Sequence, residues 1–228
     1  MREITGQHPH RFSKEVTFTG GYLLYLPASY RGSSNEWPLI FFLHGAGERG
    51  SDISLIESNG LPRLLRDRSD FPFVVLSPQC PAGQWWSSVL LITLLDDIVD
   101  AYRIDRDRVY VTGLSMGGYA TWNLTCRYPD RFAAAVPICG GGNPHLAQFM
   151  KDIPTWIFHG AEDDIVSIGE SERMVAALRK AGGNVEFTVY PDTGHDSWTE
   201  TYNNPALYKW LLLHTRKTLR DGQPIQPI

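Results

Sequence analysis

A serine set between two glycines, Gly113-Leu114-Ser115-Met116-Gly117, is the stretch of this sequence best suited to covalent chemistry. It follows a β-branched and aromatic run, Arg108-Val109-Tyr110-Val111-Thr112, and after Gly118 no further Gly or Pro occurs until Pro129. That pattern predicts a strand, a sharp turn and a helix. Gly113 and Gly117 lack Cβ, so neighbouring backbone can pass close to the turn. The hydroxyl is then left exposed at a helix N-terminus, where N–H groups and the helix dipole favour developing negative charge. A neutral hydroxyl is a poor nucleophile. It needs an imidazole to take its proton, and a carboxylate to fix that imidazole's tautomer and stabilise its cation. With 21 Gly in 228 residues a glycine-flanked serine also arises by chance, and a helix-capping serine is the plain alternative, so the surroundings must decide.

The elements that would position this serine can be read in order. Val16 to Phe18 and Tyr22 to Leu26 read as two strands joined by Thr19-Gly20-Gly21, a hairpin at an antiparallel edge. Pro38 to Leu43 is apolar on both alternating faces, as a central parallel strand is, and ends in His44-Gly45-Ala46-Gly47. A short helix around Leu61 to Arg66 precedes a strand at Phe73 to Leu76. Val89 to Tyr102 carries apolar residues at helical spacing, with Asp96, Asp97 and Asp100 on the other side. Beyond the serine and its helix come strands at Phe132 to Ile138, Thr155 to Phe158 and Val185 to Tyr190. Between the last two, Ser167 and Glu170 have capping-box spacing, Met174, Val175 and Leu178 form an apolar face, and Gly182-Gly183 stops the helix. A final helix covers about Pro205 to Leu219, and residues 220–228 read as a loose tail.

Strands alternating with helices predict a single α/β domain, with a mostly parallel sheet and helices on both faces, whose site lies at the carboxyl ends of the strands. His44-Gly45, Ser115, Asp163 and His195 each follow a predicted strand. The other histidines are placed differently. His8 and His10 lie in the polar N-terminal stretch, His145 in a loop and His214 in the last helix, while His44 and His159 precede glycines where a histidine braces a loop by hydrogen bonding.

Composition narrows the partners. The net charge of -4 comes without long like-charge runs, which argues against a nucleic-acid or membrane surface and against a polyanionic substrate. Residues 1–20 lack the apolar core of a signal peptide, so a cytoplasmic location is expected. Cys80, Cys126 and Cys139 are odd in number and lack metal-ligand spacing, and are read as buried free thiols. The oligomeric state is left open.

With these motifs in this order, the chain resembles the α/β-hydrolase superfamily over roughly Val16 to Leu213. Within it, the likeness is to small carboxylesterases related to the polyhydroxybutyrate-depolymerase-like and phospholipase/carboxylesterase groups. The resemblance implies a triad of Ser115 as nucleophile, His195 as base and Asp163 as acid. Asp163 matches the acid of a His-Gly-x-x-Asp motif beginning at His159; adjacent Asp164 remains the alternative, with Glu162 and Asp196 weaker. It implies an oxyanion hole from the Met116 N–H and, from the loop after His44-Gly45, the Ala46 N–H, with Gly47 as the alternative. Glu48 and Arg49 beside that loop are read as a local ion pair, or else as a contact to polar substrate. The resemblance calls for no metal or organic cofactor. Related dienelactone hydrolases use cysteine at the elbow and dehalogenases aspartate, and Ser115 argues against both.

Trp85, Trp86 and Trp198 are candidates for an aromatic substrate rim, with plain core packing as the alternative. Many relatives carry a cap after the sixth strand, but the stretch between Ile138 and Ile153 is too short for a sizeable one. The expected function is therefore a serine carboxylesterase with an open site for short-chain or protruding acyl esters, free or linked to polysaccharide, acetylxylan and feruloyl esters among them. A serine peptidase of the same fold is the rival enzyme. A catalytically silent binding module is the reading from another class, and it would require a lost triad member.

Overall fold

The computed structural model describes Arg11, Ser13 and residues 17–216 of the chain. One inner strand has alternate residues that serve two different cores. In β2, Trp37–Leu43, the side chains of Leu39, Phe41 and Leu43 enter one core while Ile40 and Phe42 enter the other, all at most 1% exposed. A strand apolar on both faces is stable only with helices covering each of them.

Among the described residues seven strands form one sheet. They are β1 (Tyr22–Tyr25), β2, β3 (Val74–Pro78), β4 (Ile104–Leu114), β5 (Ala134–Ile138), β6 (Thr155–Gly160) and β7 (Val185–Tyr190), in the order β1-β3-β2-β4-β5-β6-β7. Of these strands only β1 runs antiparallel, pairing Leu24 with Leu76. The helices are α1 (Gly60–Leu65), α2 (Ser88–Ala101), α3 (Met116–Arg127), α4 (Gly169–Lys180), α5 (Trp198–Asn203) and α6 (Pro205–Leu212). Helices α2, α3 and α4 bury Leu91, Leu95, Trp122 and Met174 in the first core, and α1, α5 and α6 bury Leu61, Tyr202 and Leu211 in the second. Between β5 and β6 lies only a short 3-10 stretch, Pro144–Met150, so no cap stands over the sheet there. Among the described residues no helix is long and apolar enough to cross a membrane.

Several local expectations need correction. The opening hairpin does not form: Thr17 and Phe18 have no strand partner, Val16 lies outside the described residues, and β1 pairs with β3 instead. The capping box does not form either. Helix α4 begins at Gly169, whose N–H donates to Ser167 Oγ at 3.3 Å, and the Glu170 carboxylate pairs with Arg173 on its own helix. The final helix begins at Pro205 as expected, where the Asn204 side chain accepts from the Ala206 N–H, but it ends at Leu212 rather than Leu219, and the short helix α5 before it, Trp198–Asn203, was not expected. Strand β4 starts at Ile104 rather than near Arg108, because its charged first residues pair with each other, Arg108 with Asp105 at 2.6 Å. The tail at 220–228 lies outside the described residues.

Candidate active site

At the end of β4 the chain turns through Ser115 at φ 52° and ψ −116°, a conformation side chains rarely adopt and which costs on the order of 1–3 kcal/mol. The turn is held on both sides. The Ser115 N–H donates to Ile138 O, and the Tyr119 N–H to Ser115 O, each at 3.0 Å. The glycines are required by contact rather than by dihedral angle. A Cβ on Gly117 would lie 1.9 Å from Leu43 O, and one on Gly113 would lie 2.5 Å from Gly117 O. Strand β2 and the turn can therefore approach only without side chains at these positions.

The adjacency of β4, β5, β6 and β7 brings their carboxyl ends together. Ser115 Oγ lies 3.0 Å from His195 Nε2, and His195 Nδ1 lies 2.7 Å from Asp163 Oδ2. The other carboxylate oxygen, Oδ1, accepts the N–H groups of Ile165 at 3.0 Å and Val166 at 2.8 Å. Burial pushes the Asp163 pKa up, but the bonds from His195, Val166 and Ile165 outweigh it and hold the carboxyl below its ordinary value. A persistent anion facing Nδ1 puts the ring hydrogen there and leaves Nε2 free to accept the serine proton. Asp164 is exposed, which settles the contact to His195 on Asp163.

Two histidines brace this arrangement. His159 is fully buried, with Nε2 facing Val166 O at 2.8 Å and Asp163 Oδ2 at 3.2 Å, so that nitrogen carries the hydrogen; its Nδ1 meets Ser171 Oγ at 2.8 Å. His44, 1% exposed, accepts the Cys80 N–H on Nε2 at 3.0 Å and donates from Nδ1 to Gly45 O at 2.6 Å. Burial lowers its pKa, against the Gly45 carbonyl and Glu48, which favours this neutral form. Because a trans peptide points its C=O and N–H in opposite directions, fixing Gly45 O fixes the aim of the Ala46 N–H. Arg49 holds the next peptide by donating from Nε to Ala46 O at 3.0 Å. The Met116 N–H opens α3 beside Ser115, where no preceding turn can use it. The expected Glu48–Arg49 ion pair does not form: Arg49 bonds Ala46 O and Gln84 O, while Glu48 is buried and accepts from Asn59 Nδ2 at 2.6 Å.

The three tryptophans separate. Trp85 is 66% exposed and stands edge-on to Tyr119, one helical turn past Ser115. Trp198 packs edge-on to the His195 ring at 5.3 Å. Trp86 lies against His44 with its ring tilted, at 4.7 Å, and donates from Nε1 to His44 O, so it braces the loop. A groove of about 520 Å³ opens beside Trp85, lined also by Phe18, Tyr22, Cys80 and Val89; neither Ser115 nor His195 lines it. Sequence reasoning gave His159 and His44 a bracing role and missed what they brace, the triad carboxylate and the Ala46 peptide.

Fold and site together define an α/β-hydrolase. Residues 86–207, more than half of the chain, match the model of the phospholipase/carboxylesterase family, and the chain belongs to that family. It is similar to the bifunctional acetylxylan esterase/xylanase XynS20E of Neocallimastix patriciarum, 27% identical over 199 residues, covering 82% of this chain and 27% of that protein. It is also similar to the probable feruloyl esterase C of Aspergillus terreus, 27% identical over 177 residues, covering 68% of this chain and 62% of the relative. Among solved structures a thermostable esterase matches with a TM-score of 0.74 and 34% identity, over 85% of this chain and 59% of the other. The chain thus spans about a quarter of the first relative's length and somewhat under two thirds of the others.

Proposed function

We propose that this chain is a serine carboxylesterase that hydrolyses short-chain or accessible acyl esters through an acyl-enzyme on Ser115. The observation that carries the reading is the unbroken line of contacts from Ser115 Oγ through His195 to Asp163, at 3.0 Å and 2.7 Å, with the serine in a strained turn. His195 Nε2 takes the hydroxyl proton as Oγ attacks the ester carbonyl, and Asp163 stabilises the imidazolium that forms. The Ala46 and Met116 N–H groups receive the oxyanion, each donor being worth on the order of 3 kcal/mol in the transition state. The imidazolium then protonates the departing alcohol. Water, deprotonated by the same Nε2, attacks the acyl-enzyme and regenerates Ser115.

The substrate class follows from access. The stretch between β5 and β6 is too short to enclose a long acyl chain, and exposed Trp85, packed edge-on against Tyr119 one helical turn past Ser115, offers a flat face to a ring or an acyl group. The acetylxylan and feruloyl esterases among the relatives support esters protruding from polysaccharide as the natural donors. Hydrolysis of p-nitrophenyl esters from acetate to palmitate, with methyl ferulate alongside, tests the reading. Short-chain or ferulate turnover that disappears in Ser115→Ala is expected. A preference for palmitate would refute the open-site argument, and full activity in Ser115→Ala would refute the mechanism.

A further inference from the structure

The hydrolytic cycle has no use for Cys139, yet its thiol is built into the site. Cys139 follows β5 with φ 38°, a left-handed conformation that a β-carbon disfavours, and it is fully buried. The strain is held in place by the Cys139 N–H, which donates to Phe158 O at 2.9 Å. Burial pushes the thiol pKa up to about 12, against the Ser115 N–H and the Ser197 hydroxyl, so the thiol is neither a ready nucleophile nor an easy target for oxidation. What it does have is company. Its sulfur, a carboxylate oxygen of Asp163 and a ring nitrogen of His195 all lie within 4.8 Å of one another.

We propose that Cys139, Asp163 and His195 form an inhibitory binding site for Zn²⁺ in the heart of the triad. A thiolate, an imidazole and a carboxylate are the donor types that tetrahedral zinc takes. Zinc bonds of about 2.0–2.3 Å place tetrahedral donors roughly 3.4–3.6 Å apart, so the sulfur must close in by at most about 1.4 Å while the 2.7 Å pair of Nδ1 and Oδ2 opens by somewhat under 1 Å, with a fourth position left for water. The nitrogen turned toward Asp163 is Nδ1, and the metal binds there. Cys139 releases its proton to solvent and becomes a thiolate. The Nδ1 proton is also displaced while Nε2 takes one up from solvent, so one proton is released for each Zn²⁺ bound. The inhibition follows from that last transfer. Nε2 now presents N–H to Ser115 Oγ in place of a lone pair, and the base is lost. Mg²⁺ and Ca²⁺, which take more ligands and prefer oxygen, do not fit. The sequence hides this set because its members lie 24 and 32 positions apart and meet only through the adjacency of β5, β6 and β7.

The loss of ester turnover rests on the hydrolase reading, whereas the binding does not, and the experiment separates them. Zn²⁺ is titrated against hydrolysis of p-nitrophenyl acetate by wild type, Cys139→Ala and Cys139→Gly, the glycine relieving the strained φ in case alanine folds poorly. The half-inhibiting concentration is expected to rise at least tenfold in both variants, with turnover in the absence of metal retained and the wild type rescued by a chelator. In parallel, Cd²⁺ is added to wild type, Ser115→Ala and Cys139→Ala, and the ultraviolet thiolate-to-cadmium charge-transfer band is followed. The band should saturate at one equivalent in wild type and Ser115→Ala and be absent in Cys139→Ala. Equal zinc sensitivity in the Cys139 variants, equal inhibition by Mg²⁺, or a band that survives Cys139→Ala overturns the proposal. A band in an inactive wild type would leave the metal site standing and sink the esterase reading alone.

Discussion

Replacing His44 by phenylalanine isolates the device that aims the oxyanion hole. The ring and its tilted packing against Trp86 are kept, while the bond to Gly45 O at 2.6 Å and the acceptor for the Cys80 N–H at 3.0 Å are both removed. The Cys80 N–H, at a residue 1% exposed, is then left unpaired, which costs about 1–3 kcal/mol of folding stability. The catalytic cost is separate. Once Gly45 O is released, its peptide can rotate and carry the Ala46 N–H off the oxyanion. Losing one such donor is worth about 3 kcal/mol in the transition state, or roughly 100-fold in kcat. Because the donor acts mainly on the oxyanion, KM should change little. Initial rates on p-nitrophenyl acetate give kcat and KM, and a denaturant titration of the same preparation confirms that the variant is folded. A folded His44→Phe enzyme with kcat within about threefold of wild type would refute the peptide-locking argument.

Three further predictions rest on distances and burial already described. Gly117→Ala must displace Leu43 O from a Cβ at 1.9 Å, and a shift near 1 Å at the reacting groups costs on the order of 100-fold, whereas Gly47→Ala, with nothing within 4 Å, should leave turnover unchanged; comparing kcat for the pair checks this. Asp163→Asn should lower kcat by about 10³–10⁴ through the wrong His195 tautomer, while Asp164→Asn at an exposed position should cost less than about twofold; equal losses would reassign the acid. His214 is 2% exposed, with no partner for either ring nitrogen among the described residues, and burial lowers its pKa to about 4. Since the folded state must hold this ring neutral while the unfolded chain protonates it near its ordinary value, its presence costs stability as pH falls from about 6.5 to 4, by up to about 3 kcal/mol. Thermal melts of His214→Leu should therefore exceed wild type by more at pH 4.5 than at pH 8, and a gap independent of pH would contradict the assignment.

What could be read in the sequence was what sharp local chemistry encodes. Val185 to Tyr190 is read with the bounds the structure has, and β2 differs only by Trp37, because apolar runs between turn residues have one reading. The elbow was legible because Gly113 and Gly117 have a steric reason to flank Ser115. The choice of Asp163 over Asp164 came from motif position, and the structure places Asp163 against His195. The errors arose where local pattern competes with tertiary pairing. Thr17 and Phe18 look like a strand but gain no partner, since β3 offers its edge to β1 alone on that side. The start of β4 is too charged to read as a strand and becomes one by pairing Ile104 with Trp37. The contacts of His159 with Asp163, of His44 with the Gly45 peptide and of Cys139 with the triad join different strand ends, and no spacing along one chain announces them.

The most direct test of the central claim is to inactivate the wild-type enzyme with a fluorophosphonate and map the adduct by peptide mass spectrometry. The account predicts one phosphonyl group per chain, carried by Ser115, appearing in step with the loss of activity, and little labelling in His195→Ala, where the hydroxyl has lost its base. Inactivation that leaves Ser115 unmodified, or labelling that persists undiminished in Ser115→Ala, would contradict it.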